Sequence, residues 1–323
     1  MERGTDIARA AAVLAGGGLV AFPTETVYGL GADAASDAAV ERVFAAKGRP
    51  RGHPLIVHLA DDARLDDWAI EIPEAARALA RAAWPGPLTL ILNKGPRVSA
   101  VVTGGAATVG LRVPAHPVAQ ALLRRFGGGI AAPSANRFGA VSPTTAAHVA
   151  SDLGAAVDYL LDGGPCEVGV ESTIVDLSRG HAALLRPGGM TREDIELIVG
   201  PLDAPDDDAP AAPGTLASHY APRAEVIAVA PHEVPAAVAA ARARGVRFAV
   251  LATVGDFEAW PGVPAVQLPD DPPAMARALY GALRDLDAAG VDVVIAALPP
   301  AFGLGEAVAD RLRRAAGSRR KPE

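Results

Sequence analysis

A single cysteine, Cys166, stands in a chain of 323 residues, which excludes an internal disulfide and any cysteine-rich zinc module. No base lies near it in sequence, so it reads as an unreactive thiol. The seven histidines lack metal-ligand spacing such as H-x-x-x-H, and a structural metal is not expected. No apolar run is long enough to span a bilayer, and the N-terminus has no basic-then-apolar secretory pattern. A soluble, cytoplasmic protein is the expectation. Net positive charge is missing too: a formal charge of −7 argues against charge-driven nucleic-acid binding over the whole surface. Basic residues that do cluster are then local and purposeful.

What is present is ample apolar material. Half of the residues are hydrophobic, enough at this length for a full core and about two domains. The chain is best read around Lys47-Gly48-Arg49-Pro50-Arg51-Gly52-His53-Pro54. Pro50 and Pro54 remove backbone donors and the glycines relax the chain, so the helix from Asp37 to Ala46 cannot continue. The apolar run Leu55 to Leu59 follows as a buried strand. Three cations thus sit on a loop between a helix end and a strand mouth, where open α/β sheets bind ligands. A merely solvated basic loop is the alternative, and the helix dipole by itself favours Lys47 at that end.

Upstream, a helix from Thr5 to Leu14 stops at Gly16-Gly17-Gly18 and a strand Leu19 to Phe22 leads into Pro23-Thr24-Glu25-Thr26-Val27-Tyr28-Gly29-Leu30-Gly31. Thr24, Thr26 and Tyr28 alternate there, which suits either a ligand face or a polar edge strand. Downstream come a helix Pro73 to Ala83, a rigid turn Trp84-Pro85-Gly86-Pro87, and a strand Leu88 to Leu92. Period two places Thr108 and Arg112 on one face of the next strand. An arginine in an apolar strand needs an anion, which a bound carboxylate or phosphate or an internal Asp or Glu could supply. A helix Pro117 to Arg125 and a strand Ile130 to Ala132 precede Ser134 and Asn136, a hydroxyl and an amide at a strand's carboxyl end. Neither a nucleophile elbow nor a glycine-rich phosphate fingerprint is present around them. Leu185-Arg186-Pro187-Gly188 repeats the design of an arginine at a strand end before Pro and Gly. After a Pro-, Asp- and Ala-rich stretch, strand and helix alternate from Val226 to Ala315, a small α/β domain whose sheet should be parallel.

The ordered set Phe22-Pro23-Thr24-Glu25-Thr26-Val27-Tyr28-Gly29-Leu30-Gly31, Lys47-x-Arg49, Pro54-Leu55, Trp84-Pro85-Gly86, Arg112-x-Pro114, Ser134-x-Asn136, Ser172-Thr173 and Leu185-Arg186-Pro187-Gly188 resembles the YrdC-type domain. Together with His219-Tyr220-Ala221-Pro222 and Gly303-Leu304-Gly305, the chain is similar to the long, two-domain threonylcarbamoyl-AMP synthase family over nearly its whole length. The resemblance implies an α/β fold: a twisted, mixed YrdC-type sheet with helices, joined by a linker to a small Rossmann-like domain. The expected boundaries are a catalytic domain over 1–200, a linker and active-site lid over 201–222, a C-terminal domain over 223–316 and a disordered tail over 317–323.

The implied reaction joins L-threonine, bicarbonate and ATP into threonylcarbamoyl-AMP and pyrophosphate, for threonylcarbamoyladenosine in tRNA. By matching positions, Lys47, Arg49, Ser134 and Asn136 are the catalytic group at the nucleotide phosphates. His53, where Asn or Ser is usual, joins Thr108, Ser142, Arg186 and Tyr220 as further ATP contacts. Thr26, His58, Arg112, Ala132 and Ser172 match L-threonine contacts. Mg2+ would arrive with ATP, and the product would pass to a downstream tRNA threonylcarbamoyl transferase; direct tRNA binding is left open. Carbamate attack on the α-phosphorus needs no side-chain nucleophile, so catalysis rests on positioning and on cations at the leaving group. An RNA-binding module is the rival class, and the related hydrogenase-maturation carbamoyltransferases are set aside because one cysteine cannot build their zinc modules.

Overall fold

The computed structural model describes residues 1–216, 219–253 and 263–317; of the expected tail, 318–323 lie outside the described residues, as do 217 and 218 of the expected lid. Two compact units result. One comprises Met1–Phe138, Ser142–Glu167 and Glu171–Thr215, the other Gly139–Val141, Val168–Val170 and the chain from Leu216 onward.

Ten strands form the sheet of the first unit: β1 (Glu2–Gly4), β2 (Val20–Phe22), β3 (Gly29–Asp33), β4 (Ile56–His58), β5 (Leu88–Asn93), β6 (Thr108–Arg112), β7 (Ile130–Ala131), β8 (Tyr159–Leu161), β9 (Thr173–Asp176) and β10 (Ala183–Arg186). They lie in the order β1-β8-β2-β3-β7-β4-β6-β5-β9-β10. Pairing is mixed: β4–β6 and β5–β9 are parallel, while β5–β6, β4–β7 and β9–β10 are antiparallel. Leu30, Val57, Leu90, Leu111 and Ala131 are fully or almost fully buried in one core on these strands, so the centre of the sheet has little freedom to shift register.

The helices follow from local chemistry. In α1 (Ile7–Ala15) the carboxylate of Asp6 caps the first turn, accepting from Ala8 and Arg9 backbone amides. Ser36 caps α2 (Asp37–Lys47), which buries Val40, Val43 and Phe44 on one face and ends at Gly48, whose φ of 63° is cheap only for glycine. Lys47 is thereby the last helical residue, buried rather than presented to water. The glycines at 29 and 31, read as part of a loop, instead belong to β3. A Cβ on Gly31 would come within 2.6 Å of Ile130 and 2.8 Å of Phe22, so their absence lets β3 close against those side chains.

The stretch 201–222, expected as a linker and lid, divides between the two units. Asp203 bonds through its backbone to Ala182 and Leu184, Leu202 and Ala212 are buried, and the stretch as far as Thr215 belongs to the first unit.

The second unit carries a wholly parallel sheet, β11-β14-β12-β13, of β11 (Glu225–Val229), β12 (Phe248–Thr253), β13 (Ala265–Leu268) and β14 (Val293–Ala297). The helices Val234–Ala243, Pro272–Ala288 and Leu304–Ala315 accompany it. Within this unit Tyr220, at φ 61°, is buried, stacks on Tyr280 at 6.0 Å and lies under the Arg311 guanidinium at 4.9 Å.

One close approach ties β10 to the entry of β9. A Cβ on Gly188 would lie 2.3 to 2.5 Å from backbone atoms of Glu171, Ser172 and Thr173. Gly188→Ala should therefore cost about 1–3 kcal/mol in urea unfolding, the range for forced overpacking. An unchanged midpoint would mean that the two segments part freely.

Candidate active site

The C-terminal end of α2 and the loop after β7 are joined by a buried cation. Lys47 Nζ donates to the carbonyls of Ser134 and Asn136 and lies 3.4 Å from Asn136 Oδ1. Burial, and then the neighbouring Arg49, holds its ammonium well below the usual lysine range, while the three oxygens offset part of that burial by accepting from the cation. Ser134 Oγ donates to Asn136 Oδ1 at 2.5 Å. Arg49 donates to the carbonyl of Pro54 at 2.9 Å and stands 5.6 Å from the Phe138 ring centre. His53 packs against that ring at 5.4 Å between centres, and burial followed by Arg49 lowers its pKa. Four residues expected at the phosphates, Lys47, Arg49, Ser134 and Asn136, thus form one cluster, with His53 at its edge. Phe138 was not foreseen; its amide donates to the Lys47 carbonyl at 2.9 Å.

A second group runs across the sheet. His58 of β4 pairs in register with Arg112 of β6, and continuation of the Leu90–Leu111 pairing brings Thr89 of β5 opposite Arg112. Register partners share a face, so His58, Arg112 and Thr89 form a row. Thr89 Oγ1 is 2.8 Å from Ser172 Oγ at the mouth of β9, and Arg186 Nη2 donates to Ser172 O at 2.7 Å. Arg186 Nη1 also donates to Pro213 O at 2.8 Å. Arg112 Nε donates to Gly86 O at 3.3 Å, which gives the Trp84–Pro87 turn a role in aiming it.

The anion facing Arg112 is Glu25. Arg112 Nη2 lies 2.7 Å from Glu25 Oε1, with side-chain exposures of 4% and 8%, yet the two are not aligned for a hydrogen bond. His58 is equally buried; desolvation and then the adjacent Arg112 push its pKa down to about 3, so its ring is neutral at physiological pH. Its Nδ1 has no partner among the described residues.

The other expected residues are placed as follows. Thr26 is fully buried, 2.8 Å from Thr24 Oγ1. Tyr28 turns its hydroxyl inward to Gly164 O at 2.7 Å. Ala132 is buried and donates through its backbone to Ile56 O. Ser142 donates to Glu171 Oε1 at 2.6 Å. Thr108 sits at the other end of β6 from Arg112, roughly 13 Å along the strand, and is not brought into the row. Cys166 is buried and its thiol is pushed up to about 12, chiefly by desolvation, so it stays protonated. Glu25 and Thr89 were not singled out. The rule that a buried arginine needs an anion, followed back to the one carboxylate in the Thr24–Tyr28 loop, would have found Glu25.

Residues 12–188 match the family model described as "Telomere recombination", and residues 190–317 match that of "Threonylcarbamoyl-AMP synthase, C-terminal domain". The chain is 44% identical over 322 residues to the threonylcarbamoyl-AMP synthase of Pyrococcus abyssi, covering 96% of this chain and 94% of that one. It belongs to the threonylcarbamoyl-AMP synthase family. The Bacillus subtilis synthase is 43% identical over 97% of this chain and 93% of its own length. The crystal structure of P. abyssi Sua5 complexed with L-threonine superposes with a TM-score of 0.90 at 42% identity, covering 98% of this chain and 96% of that chain. Both units, the mixed ten-stranded sheet and the parallel four-stranded one, are those of this two-domain synthase family.

The neutrality of His58 is directly checkable. Its ring resonances should not shift between pH 5 and 8, whereas an unperturbed histidine titrates near 6.5. With the folded pKa depressed, the unfolded chain binds the extra proton between about 3 and 6.5, so His58 subtracts stability as pH falls through that window. His58→Gln should flatten the acid limb of stability against pH; a His58 titration near pH 6.5 would contradict its desolvation.

Proposed function

We propose that the row formed by His58, Arg112 and Ser172, with Thr26 and Ala132, holds L-threonine, while Lys47, Arg49, Ser134 and Asn136 hold the phosphates of ATP. Threonylcarbamoyl-AMP synthesis, the activity of the family, is a nucleotidyl transfer that serves threonylcarbamoyladenosine formation in tRNA. The observation that carries the assignment of substrates to residues is the separation of two buried polar clusters. One carries the Lys47 and Arg49 cations beside a hydroxyl and an amide, and the other is an arginine row running across adjacent strands.

In this reading bicarbonate supplies the carbon as carbon dioxide. The hydroxide that bicarbonate sheds and solvent water take the two protons the threonine ammonium loses as its nitrogen bonds to that carbon, a carbamate oxygen then bonds to the α-phosphorus, and the bond from that phosphorus to the bridging oxygen breaks. Pyrophosphate leaves with the electron pair. Lys47 and Arg49 offset the charge that builds on it, and neither needs to give or take a proton. Three or more His, Cys, Asp or Glu side chains able to cage a metal do not occur together among the described residues. Magnesium, when bound with ATP, would be carried on the phosphates and would supply charge neutralisation there. His53, Thr108, Ser142, Arg186 and Tyr220 enter as further nucleotide contacts on the family resemblance, and 214–222 enters as a lid because adjacent aromatics, His219 and Tyr220, are poor residues for a bare spacer. Transfer of the product to a tRNA threonylcarbamoyl transferase in the cytoplasm completes the proposal. Among the described residues no helix is long and apolar enough to cross a membrane.

Pyrophosphate release from ATP, with and without threonine and bicarbonate, tests these roles. Arg49→Ala should lose roughly a hundredfold or more in turnover. Lys47→Ala should lose as much and also about 1–3 kcal/mol of stability, because the Ser134 and Asn136 carbonyls lose their donor. Near-normal turnover in both would refute the phosphate role. Arg112→Lys should raise the KM for threonine and leave that for ATP unchanged, since a point charge cannot replace a planar fork. The reverse pattern would assign Arg112 to the nucleotide. Serine should be about ten- to two-hundredfold poorer than threonine, the range for one methyl in a fitted pocket; equal use would mean that the methyl is not enclosed.

A further inference from the structure

Glu25 presents a buried carboxylate with both oxygens lacking a hydrogen-bond partner among the described residues. Arg112 Nη2 stands 2.7 Å from it and is itself without a hydrogen-bond partner among the described residues. A counter-ion that merely neutralised Arg112 would gain most from two aligned N–H···O bonds. This one makes none, and a desolvated carboxylate without donors is costly. The next strand adds His58 Nδ1, a third kind of unpartnered buried atom beside the same guanidinium. Unused donors on Arg112 and unused acceptors on Glu25 therefore lie side by side.

From this we infer that Glu25 receives the α-ammonium of the amino-acid substrate while Arg112 receives its carboxylate. A zwitterion carries acceptors and donors on adjacent carbons in the arrangement that the pair lacks. It also adds no net charge. An acid without the amine would add a negative charge beside Glu25 and leave both of its oxygens still without donors. The site is thus selective for an α-amino acid over the same acid without its amine before any chemistry occurs. Glu25 is a specificity residue for the first substrate, and the inference rests on the reading that the Arg112 row holds L-threonine.

Calorimetric titration of the full chain with L-threonine and with (R)-3-hydroxybutyrate, the same molecule without its amine, tests this. The wild-type chain should bind threonine about a hundredfold or more tighter, the scale for leaving one member of a buried charge set unpaired. In Glu25→Gln that gap should shrink to under about tenfold, with ATP affinity kept as the check on folding, and Glu25→Asp should restore part of it. Equal loss of both ligands in Glu25→Gln would make Glu25 a prop for Arg112 and overturn the inference. Equal binding of the two ligands by the wild-type chain would overturn it without any variant. Failure of the wild-type chain to bind threonine at all would instead remove the underlying reading.

Discussion

Burying Arg112 in the middle of a sheet is the constraint around which this site is organised. A guanidinium at 4% exposure cannot shed its charge, so everything near it has to answer that charge. The Gly86 carbonyl accepts from Nε, Glu25 stands against Nη2, and His58 next door is held neutral by burial and by the same cation. The strands that fix the geometry are among the least exposed of the chain. Leu90, Leu111 and Val57 are all fully buried, and a one-residue slip would send both Arg112 and its register partner His58 to the opposite face.

The second cluster is held differently. Lys47 is placed by a helix end rather than by strand register, and its ammonium is anchored on backbone carbonyls of the loop after β7. Those carbonyls fix where the cation sits without neutralising it. Arg49 is likewise held through Pro54 O and the face of Phe138. In the proposed chemistry that distinction matters, because cations seated on neutral carbonyls keep charge with which to answer developing phosphate charge. The row and the cluster differ accordingly: one is charge-compensated for a zwitterion, the other is left cationic for a polyanion.

Much of this was legible before the fold was known, for reasons that can be named. Proline and glycine after Lys47 had to stop α2, and the expected boundary at Ala46 is one residue from the observed one. The parallel C-terminal sheet followed from alternating strand and helix patterns. Arg112 was identified by desolvation alone, and an internal carboxylate was one of two anions considered for it. The structure supplies that carboxylate in Glu25. What stayed hidden depends on long-range pairing. Thr89 reads as an ordinary strand residue until β5 and β9 bring it to Ser172, 83 positions away. The glycines of β3 read as loop because their purpose, close approach to Phe22 and Ile130, lies in other strands. Gly200 to Pro213 looked like linker by composition, yet the backbone of Asp203 bonds to Ala182 and Leu184.

A co-crystal structure with L-threonine and a non-hydrolysable ATP analogue tests the central division of labour most directly. The account predicts the amino-acid carboxylate within hydrogen-bond distance of Arg112 and the triphosphate against Lys47 and Arg49, with His58 touching the amino acid and not the nucleotide. A triphosphate oxygen on Arg112, or threonine bound among Lys47, Ser134 and Asn136, would contradict it.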